Sequence, residues 1–428
     1  MSTHGDFDIK IVKSKESDKR NTIFDIQGEV NYGLDKSIVN GIRRTLLTDI
    51  KTIAFNENDI VINTNHGGLH NEFLKHRISL IPLYIDPNQY HRQYLFELKV
   101  KVTDDEPLRN ITANMFNIYK LKSENERLYQ KQKDMEYLDD SENLILKLSE
   151  KVDTSYYDLD RPISDSDKKK IFRPFIFNKL ESYFLITELK NTNSVNENEE
   201  IELYCVPSIG TAREHSRFNN LPTVTYSFKR DKTQFEKVVA DKILIEKIKP
   251  AHIKSFTRSL ELSEGERYYH RDIRNEPYYY VFKLTSNHYY PSEIVFVQAS
   301  EILIGRFMNI IDNLKKIISN PEESLFSIER LKTDTTFKLI MLKEDDTTGN
   351  IIQSHAVNHH IKSKSYIELV GYKKPHPLTD LIFINIMVKP NSYSEEQKKT
   401  EIIQFLVNVV DDIIEIFKKI SKKAESSL

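Results

Sequence analysis

Apolar residues recur every four positions between Gly33 and Ile50: Leu34, Ile38, Ile42, Leu46 and Ile50, with Val39 and Leu47 widening the stripe. That spacing predicts an amphipathic helix. Asp35 is placed to cap it, its carboxylate accepting from the first free amides. Gly41 in mid-helix costs about 1 kcal/mol against Ala. A glycine kept there lets another backbone come close. Arg43 and Arg44 sit about 100° apart round the helix, so one can face a partner while the other flanks the stripe.

Around this helix the pattern is mostly that of strands. Residues 7–12 and 22–30 alternate apolar and polar side chains and predict an antiparallel pair. Residues 52–55 and 60–64 read as two further strands. Gly67-Gly68 marks a loop, 69–77 a short helix, and Pro82 its exit into a strand. From 86 to 216 the pattern is less regular. Residues 95–102 and 201–206 read as strands, and 172–189 alternate. The stretches 120–149 and 153–170 read as solvated insertions, and 191–200 and 207–218 as loops. Residues 221–228 and 278–285 are strands separated by a charged, hairpin-like region. A long helix follows, with Ile294, Val297, Ile304, Phe307, Ile311, Leu314 and Ile318 on its stripe.

The remainder repeats a simpler scheme. Residues 337–341, 366–371 and 381–388 read as strands and 346–357 as a short helix with good cap residues. The last helix opens on Ser394-x-x-Gln397, a capping box. Its apolar face runs from Ile402 to Ile420, and 421–428 read as a frayed tail. Each end of the chain thus has a strand, a short helix with Gly beside Asn, more strands and a long apolar helix. Only the first copy carries a large insertion. Each long helix offers seven or eight apolar positions, so docking the two copies would contribute on the order of 10 kcal/mol as an upper estimate. The pattern predicts either an intramolecular pseudo-dimer with helices at its interface or two unrelated α+β domains.

Composition narrows the classes. A chain of 428 residues, 39% hydrophobic and 29% charged, is a folded protein of two or three domains. Sixty-two basic and 64 acidic residues give a net charge of -2, which predicts no polyanion partner from the average balance. Cys205 is the single cysteine, so a disulfide framework and a multi-cysteine metal site are both excluded, and the chain reads as intracellular. The N-terminus has no apolar core for a signal peptide. No run of about 18 apolar residues reads as a membrane span, since 294–318 and 402–420 carry charges at helical spacing.

Asn40-Gly41-Ile42-Arg43-Arg44-Thr45-Leu46-Leu47, Thr52-Ile53-Ala54, Asn63-Thr64 and the run from His70-Asn71-Glu72 through His76-Arg77 to Pro82-Leu83 resemble the signature of alpha-like subunits of multisubunit RNA polymerase. These are bacterial alpha, its archaeal counterpart D and the third subunit of eukaryotic RNA polymerase II. Gly210–Phe218 as a stretch, including Glu214 and His215, looks like that family's return loop, and residues 285–318 resemble its closing helix. Residues 344–352, with Gly349 and Asn350, and 371–378, with Tyr372, Pro375, His376 and Pro377, are similar to the smaller partner, archaeal L or the eleventh eukaryotic subunit. Together they resemble two alpha-type dimerisation domains fused head to tail, as in some large cytoplasmic DNA viruses. The fold implied is α+β: a discontinuous third-subunit-like domain at 1–50 and 217–320, a mainly β insert at 51–216, and an eleventh-subunit-like domain at 321–428.

The resemblance implies a non-catalytic platform on which the two large RNA polymerase subunits dock, together with a small subunit resembling the tenth eukaryotic one. DNA and RNA would be met only through the complex, and no membrane is involved. The compartment would be the host cytoplasm, at a virus factory, and the virion for a viral chain, or the nucleus for a cellular one. Asn40, Arg43, Arg44, Glu72, His76, Arg77, Glu214, His215, Gly349, Asn350, Tyr372, Pro375, His376 and Pro377 would lie at subunit interfaces. No metal, cofactor or catalytic residue is implied, since the family's zinc or iron–sulfur cysteine cluster cannot form here. Thr347-Thr348 departs from the smaller partner's more usual His or Thr followed by Leu and predicts one weakened apolar contact at the seam.

Read without the resemblance, Arg43 and Arg44 are solvated charges on an amphipathic helix, and Glu72 and His76 are a surface pair at i and i+4. Gly349-Asn350 could open an anion-binding helix terminus, but no phosphate-loop motif accompanies it. Two other functions remain open: a nucleic-acid-binding module, and a metal-dependent enzyme using His66, His70 and His76.

Overall fold

The computed structural model describes all of the chain except residues 1–7, 18–20, 31–33, 104–106, 134–143, 151, 192–197, 332–334, 362–365, 391 and 428, and the side chains of 149 and 150. It divides into two compact units. The first holds residues 1–50, 221–286 and 291–428, and the second 51–220 and 287–290. Helix makes up 43% and strand 31% of the structure, the α+β class that the pattern predicts.

The first unit contains two four-stranded antiparallel sheets. One runs Lys10–Lys13, Asn21–Gln27, Tyr279–Thr285, Thr223–Phe228. The other runs Phe326–Arg330, Thr336–Leu342, Leu381–Val388, Ile367–Lys373. Strand periodicity puts alternate side chains on one face. Phe24 and Ile26 are therefore buried in the first sheet, and Ile382, Ile384, Ile386 and Val388 in the second. Helices Lys36–Thr48, Ser292–Ser319, Asp346–His355 and Glu395–Ser427 pack with these sheets in the same unit.

Aromatic contacts show how the pieces join. Phe24, Phe282 and Phe296 cluster with ring centroids 4.8–5.5 Å apart, tying the first sheet to the long helix Ser292–Ser319. That helix runs beside the C-terminal helix, and Phe307 stacks on Phe417 at 5.8 Å and 22°. By length and composition Ser292–Ser319 would suffice to cross a membrane, contrary to the reading of 294–318. Its Val295, Phe296, Leu303, Phe307 and Ile310 are buried within the unit. The predicted capping box forms: Ser394 N–H donates to Gln397 Oε1 and Gln397 N–H to Ser394 Oγ. The helix it starts continues to Ser427, with Ser421 and Ala424 buried, so the tail up to that residue is not frayed.

The second unit is built on a five-stranded antiparallel sheet in the order Lys51–Asn65, Glu200–Thr211, Tyr94–Lys101, Asn117–Leu121, Tyr157–Pro162. Phe55, Phe96, Phe116 and Phe172 form its aromatic core, with Cys205 buried among the same residues. Burial pushes the Cys205 thiol well above its usual pKa, so it stays protonated.

Several elements differ from expectation. Residues 51–65 form one long strand; the polar Asn56-Glu57-Asn58 imitates a turn in the sequence. Its partner strand extends to Thr211, so 207–211 are not loop. Pro207, which has no N–H to donate, sits where the register shifts. Residues 120–170 are not simply solvated loops: Leu144, Leu148, Tyr119, Leu121 and Tyr157 make a small core of their own. Between 229 and 277 the chain forms helices Lys232–Ile245 and Ile253–Glu264, which bury only Val239 and Leu260 and so carry little apolar signal. Residues after Pro82 form no strand until Tyr94. Phe7, Gly33 and most of the predicted 191–200 loop lie outside the described residues.

Candidate interaction surface

The first helix meets its counterpart Asp346–His355 at Gly41. A Cβ added there would lie 2.6 Å from Ile351 Cδ1 and 3.7 Å from Thr347 Cγ2. The mid-helix glycine is thus a close-packing position. Thr347 and Thr348 are both buried, and the Thr348 hydroxyl donates to Glu344 Oε2 at 2.9 Å. The threonine pair therefore fits its surroundings through an internal hydrogen bond, where the sequence suggested a weakened apolar contact.

Asp35 occupies the N-cap position but makes no side-chain cap bond. Its carboxylate is nearly fully buried and turns to charged partners: Arg274 Nη2 and His359 Nε2 both lie at 3.4 Å. Burial would raise its pKa, but the His359 hydrogen bond and the surrounding positive groups outweigh that, and the net shift is downward. A buried carboxylate gains more from ionic partners than from one backbone amide, which explains the failed cap.

A second ionic cluster lies at the start of the short helix Asp346–His355. Arg306, on the long helix, reaches Glu344 at 2.9 Å and Asp345 at 3.3 Å. Burial holds Glu344 above the usual carboxylate range despite Arg306. Nothing in the periodicity points to this cluster, because Arg306 reaches Glu344 and Asp345 only through tertiary folding. Arg306→Met is expected to cost about 3 kcal/mol in urea unfolding of the full chain, because it strands a buried acid. The double variant Arg306→Met, Glu344→Leu should recover most of that loss.

The predicted interface residues fall into separate groups. In the first unit, Arg43 and Arg44 are half-buried, and Arg43 Nε donates to Asn40 Oδ1 at 2.9 Å. Neither guanidinium forms a salt bridge among the described residues, so both keep donor capacity for a partner. Arg44 lies near Tyr372, whose phenol is pushed up by burial and Asp346 and held back by Arg44. Tyr372 also covers Gly349, where an added Cβ would stand 2.8 Å from its ring and 3.0 Å from Ile382 Cδ1. Gly349 is therefore closed to an anion, and Asp345 already accepts from the Thr347 N–H. Asn350 is half-buried on the same helix. Pro375, His376 and Pro377 lie on an exposed turn held by His376, whose Nδ1 accepts from the Leu378 N–H. Leu378 at its tip is 88% exposed, an apolar side chain that the sequence did not single out.

In the second unit, helix Asn71–Ser79 is capped by His70, whose ring accepts from Glu72 N–H. Arg77 is committed inward, donating to the carbonyls of Ile186 and Leu185 at 2.7 and 2.8 Å. His76 Nε2 lies 3.6 Å from Glu57, which also pairs with Arg217 at 3.0 Å. The exposed Glu72 and Phe73 face away from the core. Glu214 and His215 are exposed, Glu214 accepting from the Thr211 hydroxyl and His215 from Arg217 N–H. A hairpin of Phe175–Phe177 and Leu180–Ser182 exposes Ile176, Phe177 and Leu180, a patch that alternation alone could not distinguish from a core strand. His66, His70 and His76 belong to no cluster of three metal-ligating side chains among the described residues.

Residues 336–423 match the model of the RNA polymerase Rpb3/Rpb11 dimerisation domain. The matched segment spans the strands Thr336–Leu342, Ile367–Lys373 and Leu381–Val388 and the helix Asp346–His355. Human DNA-directed RNA polymerases I and III subunit RPAC1 is 22% identical over 305 residues, which cover 67% of this chain and 80% of RPAC1. The rpac1 subunit of Dictyostelium discoideum is 30% identical over 117 residues, 24% of this chain and 32% of its own length. DNA-directed RNA polymerase subunit Rpo3 of Methanosphaera stadtmanae is 32% identical over 79 residues, 18% of this chain and 27% of Rpo3. The chain is homologous to these alpha-like RNA polymerase subunits.

Proposed function

We propose that this chain is a non-catalytic assembly subunit of a multisubunit DNA-dependent RNA polymerase, in which third-subunit-like and eleventh-subunit-like partners are joined as an intramolecular pseudo-dimer. The observation that carries the reading is the seam: Gly41 of one helix against Ile351 of its counterpart, and Phe307 of one long helix on Phe417 of the other. Each sheet-and-helix half covers the apolar face that the other would leave open.

The partners on this reading are the two large polymerase subunits and a small one resembling the tenth eukaryotic subunit. Arg43, Arg44, Tyr372 and the 375–378 turn supply one docking region. Helix Asn71–Ser79 supplies another through Glu72 and Phe73, while Arg77 holds the unit's own fold. Nucleic acid is reached only through the complex. The near-neutral net charge and absence of a polymerase-type Asp-x-Asp-x-Asp motif fit that role. The fused arrangement fits a viral polymerase working in the host cytoplasm and packaged in the virion; a cellular chain would work in the nucleus. Affinity capture of the tagged full chain from its native cells should recover both large subunits in equal amounts. Recovery of the chain without either would overturn the reading.

A further inference from the structure

The end of helix Asp346–His355 contains a feature that the assembly role does not use. The helix runs into a π-turn, Ala356–His360, in which the Ile361 N–H donates to the Ala356 carbonyl. Such wide turns are rare and are frequently found at functional sites. This one places three imidazoles together: His355 lies 4.5 Å from His359 and 5.4 Å from His360 between ring centroids. Two carboxylates approach from other helices. Asp35 stands by His359, and Asp412, on the C-terminal helix, lies 2.8 Å from His360 Nε2.

Two triads arise from these five residues, Asp35–His355–His359 and His355–His360–Asp412, each with ligand atoms within 4.8 Å of one another. Their electrostatics differ. Arg274 lies against both Asp35 and His359, so a dication in the first triad would meet a guanidinium. The second triad is the more accessible. There His355 is fully buried, and the His360 and Asp412 side chains are 15% and 21% exposed while their facing Nε2 and Oδ2 atoms are buried. Burial and the flanking imidazoles hold the His355 pKa down at about 3, so its ring is neutral and keeps a lone pair to donate.

We propose that His355, His360 and Asp412 form a site for a divalent transition metal, zinc by ligand chemistry, that pins the π-turn to the C-terminal helix. Two imidazoles and a carboxylate suit zinc, and three protein ligands leave a fourth tetrahedral position for a further ligand. The cysteine content alone led to a metal-free expectation, which takes no account of this cluster. The site stands independently of the assembly reading.

The test uses the full chain dialysed against EDTA and then titrated with zinc chloride, followed by calorimetry and thermal unfolding. Cobalt(II) replaces zinc in a parallel titration, where absorption reports tetrahedral coordination. One zinc per chain, a raised unfolding midpoint and tetrahedral cobalt bands are expected. Asp412→Asn and His360→Gln should each lose all three, with far-ultraviolet circular dichroism unchanged without metal. His359→Gln should keep them. Absence of the zinc step in the unmutated chain would overturn the proposal, as would its survival in both ligand variants. Loss in His359→Gln with retention in His360→Gln would overturn it by moving the metal to the Asp35 triad.

Discussion

Phe307→Ala is expected to lower the stability of the full chain by about 3–5 kcal/mol, the usual cost of deleting a fully buried phenylalanine. Phe307 and Phe417 are both fully buried and stack across the two long helices. Truncation removes the transfer energy of the ring and leaves a cavity that rigid neighbours cannot fill. Phe417→Ala should cost a similar amount, and the double variant less than the sum, because each ring loses its partner only once. Urea unfolding of the three variants measures this. A loss under about 1 kcal/mol for either single variant would mean that the helices are not a tightly packed seam.

The second large effect is on assembly. The double variant Arg43→Ala, Arg44→Ala should reduce capture of the large subunits by at least about tenfold. Arginines that act as interface hot spots contribute about 2 kcal/mol or more, and about 1.4 kcal/mol is tenfold. The unfolding midpoint should barely move, since neither guanidinium forms a salt bridge among the described residues and the Arg43–Asn40 bond lies within one helix. A fall in stability matching the fall in capture would show that the pair holds the fold and not a partner. His376→Ala, on the exposed 375–378 turn, offers a milder companion measurement on the same readout.

Much of the architecture was legible because it follows two simple periods. The four-residue spacing of Leu34 to Ile50 gave the first helix, and alternation in 381–388 gave a strand with the observed bounds. The Ser394/Gln397 box marked a helix start because reciprocal side-chain bonds need that spacing. Gly41 was legible as a close approach, and the structure shows what approaches it.

Other features were hidden for physical reasons. Helices Lys232–Ile245 and Ile253–Glu264 bury too little to leave a stripe. Arg77 is an interface residue by the resemblance, but in the structure it donates to backbone carbonyls more than 100 residues away in sequence, which no local pattern encodes. Asp35 was legible as a cap by position and used as an ion-pair partner instead, since Arg274 and His359 arrive only through tertiary folding. The His355–His360–Asp412 cluster was invisible for the same reason, and because a π-turn changes the spacing at which imidazoles share a face.

The central claim, one chain standing for two dimerising subunits, is tested most directly by native mass spectrometry of the endogenous complex. The account predicts one copy of this chain bound to both large subunits, with no separate third- or eleventh-subunit-like chain. A homodimer of this chain, or a complex that also contains a separate eleventh-subunit-like chain, would contradict it.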